Sequence, residues 1–341
     1  MIQRILALIS GNPKLRILLQ KAYVWLSKHV ALLPPLGVAI ELTYACNWRC
    51  RMCFHHRPSV HDKMAETITA RRREELTSEE LKHLLADLAR SGVRHVSLHG
   101  GEPLIRPDFC DILAYAAGIG LHTSTFTNAT LITEEIARQM VKHLHDLGTS
   151  IHGDEAVHDQ VTGVPGSFKQ AIEGIKRLQA AKKAAGSVTP HINLACIVTA
   201  VNYRHLAGLV HVARELQLDH FGFGIVTFTN QRAVDATRRM LGFKECGSSF
   251  LGDSLLESDL LAVEPAEYSS AVAEAKRLAA EEDIRVESYP FISQDAITQA
   301  FSDPFFRLGK RCNYPWYSSV ISSYGDVYPC IQFSFLGDGF G

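Results

Sequence analysis

Short apolar runs alternate with amphipathic helical patterns from residue 36 to residue 226. The run Val38 to Leu42 is typical of a buried strand, and Leu76 to Arg90 has the leucine spacing of a helix that Thr77 or Ser78 caps. Strands interleaved with helices of this length indicate βαβ units and a parallel sheet. About six such units fit before residue 226, so we predict an α/β fold, a partial (β/α)6 TIM-like barrel.

The segments on either side of this repeating part differ from it in composition. We predict an N-terminal helical segment at 1–35, the barrel at 36–290, and a small C-terminal module at 301–341 that holds a β-hairpin. No Asp or Glu occurs before residue 41, which makes the first segment basic as well as amphipathic. Residues 1–33 therefore either contact an anionic membrane surface or pack on the barrel.

Charge and hydropathy exclude several classes of protein. A formal net charge of -1 gives no electrostatic argument for nucleic-acid binding. The N-terminus lacks the pattern of a secretory signal, and no apolar run reaches the roughly 18 residues of a spanning helix. We expect a cytoplasmic protein, with membrane association through its N-terminus as the alternative. In that compartment the eight cysteines indicate metal binding or catalysis rather than disulfides.

Three cysteines follow the first predicted strand directly: Cys46, Cys50 and Cys53. Three thiolates within one short loop can converge on a soft metal centre. Three ligands on a cluster of four irons leave one iron open to another molecule. In the same way, three protein ligands at catalytic zinc leave one coordination position open. A zinc knuckle with a distant fourth ligand and buried cysteines without a metal are the alternatives.

The cysteine spacing Cys-x3-Cys-x2-Cys on the loop after a first barrel strand resembles the signature of the radical S-adenosylmethionine (radical SAM) superfamily. The resemblance covers roughly residues 36 to 290. It implies a [4Fe-4S] cluster on the three cysteines and S-adenosylmethionine (SAM) at the open iron. After the second strand come Gly100, Gly101, Glu102 and Pro103, where glycines permit close backbone approach and a carboxylate can accept from an ammonium. The resemblance implies that this stretch contacts the methionyl amino group.

Three further residues, Thr127, Asn128 and Ser150, match SAM-contacting positions of the family, and Asn202 is a further candidate on the cofactor side. Thr127 and Asn128 end the third strand, where a hydroxyl and an amide suit the ribose hydroxyls. Ser150 ends the fourth strand, and Asn202 follows the fifth. Each also has a structural interpretation, because Thr and Asn are common in turns.

The chain departs from the family pattern at three positions. Met52 stands before the third cysteine, where relatives usually carry an aromatic residue. Ala129 replaces the glycine of the usual Thr-Asn-Gly. The stretch from His158 to Phe168 resembles the family's loop into the next helix, but Thr162 stands where many relatives have an arginine.

A second cysteine pair, Cys312 and Cys330, frames a predicted hairpin with its turn at Gly325. The pattern resembles the opening of the SPASM/twitch auxiliary module, which implies an auxiliary iron-sulfur cluster. The further cysteines of that module do not follow, so either the sequence is a fragment or the auxiliary site is incomplete. Two buried hairpin cysteines are the alternative.

The resemblance implies reductive cleavage of SAM to a 5′-deoxyadenosyl radical that abstracts hydrogen from a substrate, with flavodoxin or ferredoxin as the reductant. The SPASM-like module favours maturation of a peptide or protein. The basic N-terminus instead favours a lipid, lipid-linked or sugar substrate at a membrane surface. A protein that is not an enzyme, stabilised by an iron-sulfur cluster or by zinc, is the remaining hypothesis.

Overall fold

A computed structural model describes residues 21–23, 25–26, 34–50, 52–53, 74–218, 220–225, 262–289, 295–296, 299 and 314–330. Residues 21–23 and 25–26 are helical, as predicted for the first segment, and the rest of 1–33 lies outside the described residues. Cys312 also lies outside them. None of the helices described here is both long and apolar enough to span a bilayer.

The strands of the described residues form one sheet. Their bounds are β1 Gly37–Glu41, β2 His95–His99, β3 His122–Thr127, β4 Asp146–Ser150, β5 His191–Val198, β6 His220–Ile225, β7 Arg285–Tyr289, β8 Ser318–Ile321 and β9 Val327–Tyr328. Within this part of the chain the strand order is β7-β6-β5-β4-β3-β2-β1-β8-β9. The pairs are parallel except β8 with β9. Among the described strands the sheet does not close between β7 and β9, which confirms the predicted α/β fold with a partial barrel.

Helices connect the successive strands. Their bounds are α1 Ser78–Arg90, α2 Phe109–Gly118, α3 Glu134–His143, α4 Glu155–Thr162, α5 Ser167–Ala185, α6 Gly208–Glu215 and α7 Pro265–Glu281. Thr77 caps α1 as predicted: its side chain accepts from the Glu80 amide while the Glu80 carboxylate accepts from the Thr77 amide. This reciprocal capping fixes the first turn of the helix.

The stretch predicted as a loop from His158 to Phe168 is instead partly helical, because α4 covers its first half. The Asp154 side chain accepts a hydrogen bond from the Val157 amide and so caps the helix. Gly163 ends it with φ 70°, a left-handed conformation that glycine adopts without strain.

The two faces of the sheet differ in chemistry. On β2, Val96 and Leu98 are fully buried in the core beneath the helices, whereas Ser97 is half-buried on the opposite face. Ser124 of β3 shares that second face, since its hydroxyl donates to Ser97 Oγ at 2.7 Å. Asn193 of β5 alternates in the same way with the buried Ile192. The inner face of the open barrel therefore carries small and polar groups.

The predicted C-terminal hairpin is present and extends the sheet beyond β1. Gly325 lies in its turn with φ 91°, and its amide donates to the Ser322 carbonyl at 3.0 Å. Strand β8 pairs parallel with β1, with Ser318 opposite Gly37. The hairpin is thus continuous with the barrel sheet, while the boundaries at 290 and 301 remain predictions.

Candidate active site

The loop that carries the three cysteines lies at the C-terminal end of β1, and the turn after β2 packs directly against it. The Gly101 amide donates to the Thr43 carbonyl at 2.7 Å, and the Glu102 amide donates to the Ala45 carbonyl at 2.8 Å. A Cβ at Gly100 would lie 2.3 Å from the Thr43 oxygen, and one at Gly101 would lie 2.4 Å from the Ala45 oxygen. The close approach that these glycines permit is therefore to the cysteine loop itself.

Glu102 lies at the centre of this end of the sheet, 1% exposed. Its Oε1 accepts from the Thr127 hydroxyl at 2.6 Å and from the Leu104 amide at 3.0 Å. Its Oε2 accepts from the Asn128 amide at 2.7 Å. Burial raises the pKa of Glu102 to about 7, although these hydrogen bonds oppose the rise. A carboxylate offers about four acceptor positions, so Oε2 retains room for one more donor.

The Asn128 side chain closes a ring of three hydrogen bonds with the cysteine loop. Its Nδ2 donates to Asn47 Oδ1 at 2.6 Å, and Asn47 Nδ2 donates to Thr130 Oγ1 at 2.8 Å. Thr130 Oγ1 in turn donates to Asn128 Oδ1 at 2.7 Å. Asn47, between Cys46 and Cys50, was not among the predicted site residues. Its position between two metal-ligand candidates was the signal in the sequence.

The three cysteines are half-buried within this loop and are not joined in disulfides. Burial raises the pKa of Cys46 to about 12 and also raises that of Cys50, and a nearby Cys53 adds to both shifts. The three sulfurs are thus close enough to act on one another. Loading a metal must displace protons from these thiols, as at other thiolate sites.

The donor set discriminates between a cluster and a single ion. Among the residues described here, no group of three His, Cys, Asp or Glu side chains gathers as the ligands of one metal ion would. In a cubane cluster each thiolate binds a different iron, so its sulfurs need not converge on one point. Three soft ligands on a shared loop fit a [4Fe-4S] cluster with one open iron.

The far side of the cysteine loop docks on the end of α4. The Arg49 amide donates to the Thr162 carbonyl at 3.0 Å, and the Trp48 ring lies 5.1 Å from the His158 ring. Trp48 Nε1 and His158 Nε2 are both buried without a hydrogen-bond partner in the structure. Thr162 is fully buried, and its hydroxyl lies 2.7 Å from Ser167 Oγ. Its side chain therefore joins α4 to α5.

The remaining predicted contacts occupy different environments. Pro103 starts a short 3-10 turn at Pro103–Ile105 and is buried, with Glu102 as its cap. Ser150 is half-buried at the end of β4, the same edge of the sheet that carries Thr127. Asn202 is fully enclosed: its Oδ1 accepts from the Thr199 amide at 2.7 Å.

The Asn202 amide nitrogen is also used within the protein. Its Nδ2 donates to the carbonyls of His152 at 3.1 Å and Ile197 at 2.9 Å. This side chain holds the ends of β4 and β5 together. Cys330 is half-buried at the end of the hairpin, and because Cys312 lies outside the described residues, the auxiliary pair stays a prediction.

A parallel open barrel with three cysteines after β1 and a Gly-Gly-Glu-Pro turn after β2 defines a class of SAM-dependent iron-sulfur enzyme. The sequence model described as the Radical SAM superfamily matches residues 40–213 of the 341. The chain belongs to the radical SAM superfamily. This confirms the predicted class of enzyme and its cofactors, a [4Fe-4S] cluster and SAM.

Individual relatives match only part of the chain. It is 34% identical over 193 residues to the AdoMet-dependent heme synthase of Methanosarcina barkeri, which covers 53% of this chain and 52% of that protein. It is 29% identical over 191 residues to the PqqA peptide cyclase of Bradyrhizobium diazoefficiens, with 54% and 45% covered. The chain spans about half the length of these curated relatives.

Solved structures share the fold over a larger part of the chain. The structure of Streptococcus suis SuiB bound to the precursor peptide SuiA matches with a TM-score of 0.62 and 17% identity. The match covers 96% of this chain and 66% of SuiB. At this identity the likeness is one of fold.

Proposed function

We propose that this chain is a radical SAM enzyme that modifies a peptide or protein substrate. When bound, the cluster and SAM supply the one-electron chemistry that abstracts a hydrogen atom from an unreactive carbon. The protein contributes binding, orientation and exclusion of water. A flavodoxin or ferredoxin is the proposed source of the electron.

The residues at the C-terminal ends of the strands take separate roles in this proposal. Cys46, Cys50 and Cys53 would hold the cluster. Glu102 would offer its remaining acceptor position to the amino group of SAM, a charge-assisted hydrogen bond in a buried setting. Thr127 and Asn128 would act mainly by holding Glu102 and the cysteine loop, because their side chains already bond to those groups.

The polar inner face of the sheet favours a peptide over a lipid as the substrate. Ser97, Ser124 and Asn193 lie on that face, and each offers both a hydrogen-bond donor and an acceptor. Ser97 and Ser124 bond to each other and Asn193 Oδ1 lies 3.0 Å from His220 Nδ1, and the donor and acceptor capacity that these groups retain suits the amides of a peptide better than an acyl chain. PqqA peptide cyclase and the peptide-bound SuiB are relatives whose names point to peptides, which supports the same choice.

Anaerobic reconstitution with iron and sulfide, followed by SAM and dithionite, tests the reaction. We expect 5′-deoxyadenosine, and its absence while a [4Fe-4S] signal is present would contradict the proposal. Cys46→Ser should abolish the cluster signal, whereas Cys110→Ser is the matched control, since Cys110 lies on α2 outside the cysteine loop.

The substrate class needs a separate assay. Peptides encoded beside the gene are incubated with the reconstituted enzyme, and their masses are compared before and after reaction. A mass change that depends on SAM supports the proposal. Modification of lipids in anionic vesicles without any change in peptides would favour the lipid alternative, which rests on the basic residues 1–33.

A further inference from the structure

One large apolar side chain interrupts the polar inner face of the sheet. Phe126 of β3 is 37% exposed, whereas Thr125 and Thr127 on either side of it are buried. Because side chains alternate along a strand, Phe126 shares the inner face with Ser124. The usual arrangement, with the apolar residue buried and the polar neighbours exposed, is reversed at this end of β3. The proposed function assigns no role to Phe126.

The Phe126 ring rests against the backbone of Gly148, its partner on β4. A Cβ at Gly148 would lie 2.6 Å from Phe126 Cε2 and closer still to Cδ2, so any larger residue would displace the ring. The ring is thus supported by the sheet on one side. Since it is 37% exposed, its other side faces the interior of the open barrel.

A second apolar side chain on this face is accommodated in the same way. Ile197 of β5 is half-buried, and a Cβ at its partner Gly224 on β6 would lie 2.9 Å from Ile197 Cδ1. Ala195 shares the face of Ile197 and lies opposite Ser150. The inner face therefore combines a few apolar side chains with hydroxyl groups, a lining typical of ligand sites.

Phe126 is also adjacent to the residues assigned to SAM. The Thr127 hydroxyl donates to Glu102 Oε1 at 2.6 Å, and the Asn128 amide donates to Glu102 Oε2 at 2.7 Å. Alternation along β3 turns Thr127 away from the face that carries Phe126. A group that contacts the open side of the Phe126 ring would therefore approach the cofactor residues from the interior of the barrel.

We propose that Phe126 determines substrate specificity by receiving an apolar side chain of the peptide substrate. The inference rests on the proposed peptide substrate and extends it. Contact with the ring removes apolar surface of both side chains from water, and an aromatic side chain adds a ring-ring interaction. An amide or carboxylate side chain would lose hydration at the ring without gaining a partner there.

Ligand-observed NMR titration of the reconstituted full chain tests this subsite, with and without SAM and in the absence of a reductant. The probes are tripeptides with blocked termini, in which two glycines flank a phenylalanine, leucine, asparagine or lysine. We expect the phenylalanine and leucine peptides to bind about fivefold or more tightly than the asparagine peptide. SAM should leave this preference in place.

Three variants separate contact with the ring from a general effect on the fold. Phe126→Ala should reduce the preference to less than about twofold, and Phe126→Leu should retain it for the leucine peptide. Gly148→Ala should weaken binding of the phenylalanine peptide, because its Cβ pushes the ring into the space that the peptide side chain would fill.

Val188→Ala is the matched control. It truncates an apolar residue that is 78% exposed in the loop before β5, at the edge of the sheet opposite the cysteine loop. We expect the preference for apolar peptides to be the same in this variant as in the wild type.

Several results would overturn the inference. They are no saturable binding at millimolar concentration, equal binding of the apolar and asparagine peptides, and an unchanged preference in both Phe126→Ala and Gly148→Ala. Tightest binding of the lysine peptide would indicate recognition of a cation by the ring instead. Loss of the preference when SAM is added would assign the ring to the cofactor.

The proposed function is tested separately on the same preparations by the mass change of peptides and by formation of 5′-deoxyadenosine. A mass change that depends on SAM, without any preference among the tripeptides, contradicts only the subsite. A preference for apolar tripeptides without 5′-deoxyadenosine or any modified peptide contradicts the proposed function.

Discussion

The side-chain amide of Asn128 donates to Asn47 Oδ1 at 2.6 Å, although 81 residues separate the two. Asn47 lies inside the cysteine motif, and Asn128 follows β3. The main-chain amide of Asn128 also donates to Glu102. One residue therefore ties together the cysteine loop, the turn after β2 and the end of β3, which are the three segments assigned to the cluster and SAM.

We predict that Asn47→Ala loosens the cysteine loop without unfolding the barrel. It leaves the buried Asn128 amide without its partner, at a cost of about 1 kcal/mol in the free energy of unfolding. We expect fewer iron atoms per chain after reconstitution, measured by iron and sulfide analysis. Asn47→Asp keeps the acceptor for Asn128 and should retain more iron than Asn47→Ala. Equal iron content in both variants and the wild type would contradict the positioning role.

Gly100 and Gly101 provide a second prediction, because each would place a Cβ within 2.4 Å of a backbone oxygen. Overpacking of this kind typically costs about 1–3 kcal/mol, and here the clash is with main chain that cannot turn aside. We expect Gly101→Ala to lower the midpoint of urea unfolding and the iron content together. Gly118→Ala is the control, since no atom lies within 4 Å of its Cβ and the residue ends α2. A neutral Gly101→Ala would show that the turn can move away from the cysteine loop.

The start of α5 gives a third prediction. The Asp159 carboxylate accepts from the amides of Gly166 and Phe168 and from the Ser167 hydroxyl at 2.9 Å. Asp159→Asn places a donor against these donors and should lower the free energy of unfolding by about 1–2 kcal/mol. Asp154→Ser keeps a capping side chain on α4 and should cost only a few tenths of a kcal/mol. Urea unfolding of both variants measures the difference.

Local patterns in the sequence account for most of the barrel. Helix α1 begins at Ser78 because Thr77 and Glu80 cap it, and both residues are visible in the sequence. Helix α4 was not predicted, because the sequence of its second half resembles the family's loop. The capping residue Asp154 was the local signal for a helix. The pairing of β1 to β7 follows from the parallel βαβ order, whereas the pairing of β8 with β1 does not and was not predicted.

Contacts between distant segments could not be predicted from the sequence. No local pattern in a single sequence pairs Asn47 with Asn128, or shows that Asn202 uses both ends of its amide within the protein. The role of Thr162 likewise depends on Ser167 and on the docked Arg49 amide. The residue types of the site were predictable, whereas what each one touches depends on how the loops meet.

Glu41 gives the last prediction, on pH. It is 2% exposed at the end of β1, and burial raises its pKa from 4.5 to about 7, although the Tyr44 hydroxyl donates to it at 2.8 Å. Between these values the folded state keeps a proton that the unfolded state has released. The contribution of Glu41 to the free energy of unfolding is therefore fully present below pH 4.5 and is lost as the pH rises through 7. The total loss is about 3 kcal/mol.

Glu41→Gln removes this titration, so the wild-type free energy of unfolding, minus that of the variant, should fall as the pH rises from 5 to about 7 and stay level above it. Glu102 titrates in both proteins and cancels in the difference. Glu79→Gln is the control: hydrogen bonding to Lys82 lowers the pKa of the exposed Glu79, so its contribution is lost only below pH 4.5. Urea unfolding across this range measures both. A level difference curve for Glu41→Gln would mean that this carboxyl is ionised in the folded protein throughout, with a cation or water compensating its burial.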